Sequence, residues 1–271
     1  MSASSLRTGG ALALLALVLL VSGCAQTAGE AVVVEAAVEP AASPASARTL
    51  TTSTGWTVTL TEARAVLGPI YLYEAPPTTL ALWERALGVR VAHAHSSAAQ
   101  GATLVEVLDQ LPVDLLAASP ALIEGLPAST GRVGVMEVHL SRPGALRATA
   151  GNTTMPGDSN ASVTIAGVAE REGQRVPFRG EVVLPEGRDT SAILNIPAPL
   201  EITAARATTS RLAVRVDLSR WMQHIDFAAL TREDNPADAS GVYHLVAGNP
   251  ATTALEYGVH TVAAYSAAWE D

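Results

Sequence analysis

Six histidines hold most of the chemistry open to this chain: His93, His95, His139, His224, His244 and His260. His93-Ala94-His95 closes the run Val89-Arg90-Val91-Ala92. On a strand, Val89, Val91, His93 and His95 share one face, with both imidazoles at its end. Cβ atoms two apart on such a face are separated by about 7 Å, so the rings can converge on one ion when a neighbouring strand supplies a third ligand. Neutral imidazole suits copper or zinc. His139, in Val138-His139-Leu140, and His244, in Val242-Tyr243-His244-Leu245, are the candidates for that third position. The competing reading has the paired rings capping the rim of a sheet and hydrogen-bonding to loops. His224 reads as exposed, and His260 is left open. Met136, Met155 and Met222 form no Met-x-x-Met cluster that would favour Cu(I).

Covalent catalysis has little to work with. All 17 basic residues are arginine, so lysine bases and Schiff-base chemistry are excluded. The chain contains no Gly-x-Ser-x-Gly elbow, phosphate-binding loop, Gly-x-Gly-x-x-Gly turn or His-Glu-x-x-His helix. The acid pairs Glu170 with Glu172 and Glu233 with Asp234 have spacings common on solvated turns. The expectation is a protein that is not an enzyme. With 26 acidic residues and a net charge of −9, it is also not expected to bind nucleic acid.

The single cysteine, Cys24, excludes an internal disulfide framework and has a specific setting. Arg7 precedes an apolar run from Ala11 to Val21, the length of an export-signal core and short of the roughly 18 residues needed to span a bilayer. The run ends in Val21-Ser22-Gly23-Cys24, which resembles the lipobox of bacterial lipoproteins. That resemblance implies cleavage before Cys24, a diacylglycerol on its sulfur and often an acyl chain on the new amino group. Two or more chains anchor stably where one is marginal. Losing Arg7 with the leader takes the net charge from −9 to −10. Ala25, where an aspartate would retain the protein at the inner membrane, implies the outer membrane, with the body periplasmic or surface-exposed.

These features divide the chain into a signal peptide (1–23), a lipidated tether (24–48) and a folded body (49–271). Ala25 to Arg48 is rich in alanine, proline, serine, valine and glutamate and lacks aromatic residues. It reads as a flexible spacer able to hold the body several nanometres off the membrane. The body follows a period-two pattern. Trp56, Val58 and Leu60 alternate with threonines, and Ala63 to Tyr73 reads as a strand bent at Gly68-Pro69. Further strands are expected at 89–94, 132–140, 145–150, 161–170, 174–184, 200–205 and 211–217, with a hairpin turn at Arg171-Glu172-Gly173-Gln174. The fold class is mainly β, an antiparallel β-sandwich with a few short helices.

Three helical segments are expected. Leu104, Val107, Leu108 and Leu111 sit at helical spacing before Pro112. Asp217 reads as a cap leading through Trp221 to Leu230, and Asn249-Pro250 as a helix start with Gly258 as its stop. The β-branched Val259, Thr261 and Val262 suggest a closing strand after Gly258.

Several stretches together resemble exported, copper-linked β-sandwich proteins associated with methanobactin and di-haem enzymes. They are Gly55-Trp56-Thr57-Val58, Leu67-Gly68-Pro69-Ile70-Tyr71-Leu72-Tyr73, Ala92-His93-Ala94-His95 and Val216-Asp217-Leu218-Ser219-Arg220-Trp221 with Ile225-Asp226-Phe227. The resemblance spans most of Leu50 to Asp271. It implies His93 and His95 as metal ligands and Trp56 or Trp221 as an indole open to oxidative modification. Ser96-Ser97-Ala98-Ala99 departs from it, since further polar ligands are expected soon after the His-x-His. Two classes stay open: a non-catalytic module that binds an envelope or extracellular component through its loops, and a lipoprotein that binds or delivers copper or zinc.

Overall fold

The structure, a computed structural model, describes residues 29–74, 102–144, 160–231 and 235–271. Its strands are β1 Ala31–Pro40, β2 Thr49–Thr51, β3 Thr57–Glu74, β4 Thr103–Val107, β5 Leu111–Asp114, β6 Ala121–Ser129, β7 Gly131–Ser141, β8 Val163–Arg171, β9 Gln174–Val182, β10 Thr190–Ile202, β11 Arg211–Val216, β12 Tyr243–Leu245 and β13 Tyr265–Glu270. The helices are α1 Pro44–Ala47, α2 Ala204–Thr209, α3 Leu218–Met222 and α4 Pro250–His260, with 3-10 turns at Phe227–Thr231 and Val262–Ala264.

The 18-residue β3 is the spine. Its first half pairs with β8 along one edge and its second half with β7 along the same edge. β2, β5 and β4 line the other edge in turn. The register shifts between Leu67 and Ile70, around a cis Gly68-Pro69 bond. Only glycine fits there: Gly68 has φ +119°, and a Cβ would lie 2.2 Å from the Asp109 carbonyl oxygen. The expected bend is therefore present. The strands form one sheet in the order β12-β9-β8-β3-β4-β6-β1-β11-β13, with β7 joining β10 to β3. The sheet curls back on itself, bringing β13 beside β10, where the Trp269 indole N–H donates to the Glu201 carbonyl at 2.9 Å. The fold is mainly β and sandwich-like, as the alternation predicts. Most ladders are antiparallel, but β1 with β11 and β12 with β9 run parallel.

Two expectations are overturned. Residues 31–40 are no tether: β1 lies between β6 and β11, with Val34, Ala36, Ala37 and Val38 buried. Small side chains made this segment resemble a spacer, yet alanine packs readily where a strand is covered closely. Residues 44–47 then form a helical turn capped by Ser43. The helix expected over Thr103 to Leu111 is instead the pair β4 and β5. Val105 and Leu111 pair with β3 through backbone ladders, and those tertiary hydrogen bonds override the 3.6-residue spacing.

The other helical expectations hold locally. The Asp217 carboxylate accepts from the Ser219 N–H at the start of α3, and Asn249 caps α4 by accepting from the Ala251 N–H. Gly258 lies inside the last turn of α4, where a Cβ would come 2.3 Å from the Trp221 carbonyl oxygen, so its role is close packing against α3. The closing strand exists but begins only at Tyr265.

Beside β13 sits a four-membered charge network. Glu39 on β1 and Glu270 on β13 share Arg211 and Arg215 on β11: Arg215 Nε lies 3.0 Å from Glu39, its Nη2 lies 2.5 Å from Glu270, and Arg211 reaches both acids. Burial pushes Glu39 up, whereas the hydrogen bond from Arg211 leads in holding Glu270 down at about 2. A depressed folded-state carboxyl stabilises above its unfolded value, and that contribution is lost as pH falls from about 4.5 toward 2. Glu270→Gln is expected to cost on the order of 1 kcal/mol at pH 6, a Tm drop of about 2–4 °C for a body of this size. In melts followed by circular dichroism, the gap from wild type should close as pH falls through that window. A gap constant with pH would refute this account.

Candidate functional site

β3 and β7 alternate, so Ile70, Leu72, Met136 and Val138 fill the core while Tyr71, Tyr73, Glu137 and His139 project from the opposite face. Tyr71 pairs directly with Glu137 on β7 and with Glu106 on β4, which places a carboxylate strand position on either side of the phenol. The Tyr71 and Tyr73 rings stack with centroids 5.9 Å apart, and His139 meets Tyr71 edge-on at 6.0 Å. Glu137 is 4% exposed; its Oε1 lies 2.6 Å from His139 Nε2, and Tyr73 O–H donates to Oε2 at 3.4 Å. Burial, then Glu137, pushes the Tyr73 phenol up; burial, then Glu106 and Glu137, does the same to Tyr71.

With Nε2 donating to the carboxylate, a neutral His139 ring would present Nδ1 as an acceptor. That Nδ1 is buried and has no hydrogen-bond partner among the described residues. A carboxylate fixing one ring nitrogen while the other is free is the arrangement that orients a metal-binding histidine. Among the described residues, no three histidine, cysteine or acidic side chains cluster closely enough to hold an ion.

His93 and His95 lie outside the described residues, as do Cys24 and Met155. The stems of their segment are described: Glu74 ends β3, Ala102 precedes β4, and the Glu74 N–H donates to the Ala102 carbonyl at 2.8 Å. The cluster is thus built on strands that flank those stems. His244 does not join it. It sits on β12, with β9, β8 and β3 between it and β7, and its Nε2 pairs with Asp238 at 2.9 Å. Asp238 is held well below the usual carboxylate range, first by the Ser240 hydroxyl and then by His244. Met136 and Met222 are core residues. His224 packs against the Tyr257 ring at 5.8 Å. His260 Nδ1 donates to the Glu256 carbonyl at 2.8 Å, and its Nε2 lies 3.1 Å from the Ser191 hydroxyl. That pair ties α4 to β10. A cleft of about 790 Å³ between Thr54-Gly55 and the 171–175 turn contains no histidine.

Neither Trp56 nor Trp221 is an open indole; both are 0% exposed. Trp56 donates to Asp226 at 2.9 Å, packs edge-on to Phe227 and carries the Arg171 guanidinium 4.4 Å above its ring. Sequence reasoning missed Glu137, although the pattern Glu137-x-His139 places both side chains on one strand face.

The fold and cluster define a mainly β, sandwich-like body with a largely buried acid–imidazole–phenol group on the side of β3 and β7 opposite the core, and no described helix is long and apolar enough to cross a membrane. No family model and no curated protein matches the chain. Among solved structures, MbnP from Methylosinus trichosporium is similar, with a TM-score of 0.36 and 12% identity over 83% of this chain and 86% of that one. A likeness of that size assigns neither site nor function.

Proposed function

We propose that this chain is an exported lipoprotein, acylated at Cys24, whose β body is a non-catalytic binding module for an envelope or extracellular component. The observation that supports the binding role is Glu137, a carboxylate buried on the side of β7 that faces away from the core. Burying a carboxylate is costly unless it is paired and hydrogen-bonded, and the groups on it are the His139 imidazole and the Tyr73 hydroxyl, with Tyr71 opposite it in the ladder, which is recognition chemistry rather than core packing.

A second reading narrows the ligand to copper or zinc, held by His93 and His95 with His139 as the third donor. The buried Nδ1 of His139, without a hydrogen-bond partner among the described residues, favours it.

One preparation tests both. Native protein from an exporting host should yield an N-terminal peptide beginning at acylated Cys24 by mass spectrometry; an unmodified thiol or an upstream start defeats the anchor. The same protein is titrated with copper and zinc. On the metal reading, stoichiometric binding disappears in the His93→Ala, His95→Ala double variant, and Glu137→Gln weakens it by about 10- to 100-fold. Stoichiometry unchanged in the double variant removes the metal and leaves the module.

A further inference from the structure

The acyl anchor and the sheet are joined by very little chain. Gly29 and Glu30 are already fixed to the turn between β6 and β7: the Glu30 N–H donates to Thr130 Oγ1 at 2.8 Å, and the Thr130 N–H donates back to the Glu30 carbonyl at 2.8 Å. A Cβ on Gly29 would lie 1.7 Å from the Thr130 carbonyl oxygen, so the chain runs hard against that turn. Ala31 then enters the ladder opposite Ser129. Five Cα steps separate Cys24 from Gly29, a reach of at most about 18 Å at full extension.

We propose that the acylated protein rests with its β6–β7 end against the phospholipid surface and its β8–β9 turn pointing away. This rests on the reading of Cys24 as acylated and names the lipid headgroup layer as the surface the body contacts. The register identifies what shares the near end. Ile202 pairs with Gly131, so α2, which follows directly, lies beside the anchored turn. Ala204, Ala205, Arg206, Thr208 and Thr209 of α2 are exposed, and the helix carries no acid. In a chain of net charge −9, a small-residue helix whose one charged side chain is an arginine is the kind of surface an anionic headgroup layer tolerates. The far end follows from β3. Glu74 pairs with Val133 near the anchored turn, whereas Thr57 pairs with Glu170 next to the β8–β9 turn. About 56 Å of strand contour separates them, several times the reach of the linker.

The test uses the chain's single cysteine. With Cys24 acylated, a cysteine introduced as Thr208→Cys in α2, or as Glu172→Cys at the β8–β9 turn, is the only free thiol. Each variant is labelled with a donor fluorophore and reconstituted into phosphatidylethanolamine–phosphatidylglycerol vesicles carrying acceptor-labelled headgroups. Energy transfer several-fold more efficient from position 208 than from 172 is expected. A 20-residue Gly-Ser spacer inserted after Gln26 should bring the two toward equality. Equal or reversed transfer from protein that floats with the vesicles overturns the orientation alone, as does a ratio that the spacer leaves unchanged. Protein that fails to float overturns the acylation reading and the orientation with it.

Discussion

Deleting residues 25–40 is expected to abolish cooperative folding of the body. The segment reads as a spacer by composition, but β1 forms a parallel ladder with β11 from Glu35 to Pro40 and an antiparallel one with β6 from Ala31 to Val38. Val34 and Val38 are 0% exposed, and each buried valine is worth about 1.5–3 kcal/mol. Each ladder bond contributes roughly 0.5–1.5 kcal/mol. Their sum is comparable to the whole net stability of an ordinary domain, about 5–15 kcal/mol. Removing β1 also frees the edges of β6 and β11, which invites aggregation. Urea unfolding followed by tryptophan fluorescence reads the outcome. A chain beginning at residue 41 that still unfolds cooperatively within a few degrees of wild type would refute the placement of β1.

That deletion also marks where the sequence is legible. The β8–β9 hairpin is readable because its information is local: Arg171-Glu172-Gly173-Gln174 supplies a turn in which Glu172 and Gly173 both have positive φ, and the flanking residues alternate. The caps Asp217 and Asn249 are readable for the same reason, since a side chain and an N–H two residues away decide them. The pairing of β1 with β11 is not, because it joins Glu35 to Arg211 across the chain, and nothing near either residue encodes the other. β4 shows the same limit from the opposite side, since its local spacing favours a helix and its pairing with β3 decides otherwise. In the candidate site, His139 was legible as a strand histidine and Glu137 was on view two residues earlier. What makes them a cluster is the register that sets Tyr71 opposite Glu137. His139 and His244 look equivalent in sequence, and only the strand order separates them.

The same contrast between local pattern and long-range packing makes Trp56 a sensitive position. Trp56→Ala is expected to lower stability by about 3–5 kcal/mol, a Tm loss of roughly 6–20 °C. The ring is fully enclosed and packs on Phe227, which in turn lies 4.6 Å from Phe178, so a relay of three aromatics joins the residue before β3 to the 3-10 turn after α3 and to β9. Trp56→Phe keeps most of that area and loses the indole N–H to Asp226. Asp226 still accepts from the Ala228 N–H and is half exposed, so the loss should be only about 1–2 kcal/mol. Arg171 closes the arrangement from outside, with its guanidinium over the ring and Nη1 donating to the Thr54 carbonyl at 2.9 Å. An indole roofed in this way is shielded from a bulky oxidant until the body opens. N-bromosuccinimide should therefore modify Trp56 in the native protein only at the rate of unfolding, and far faster in Arg171→Ala if the guanidinium is the lid. Equal rates in the two proteins would show that the protection comes from the β3–β9 packing alone.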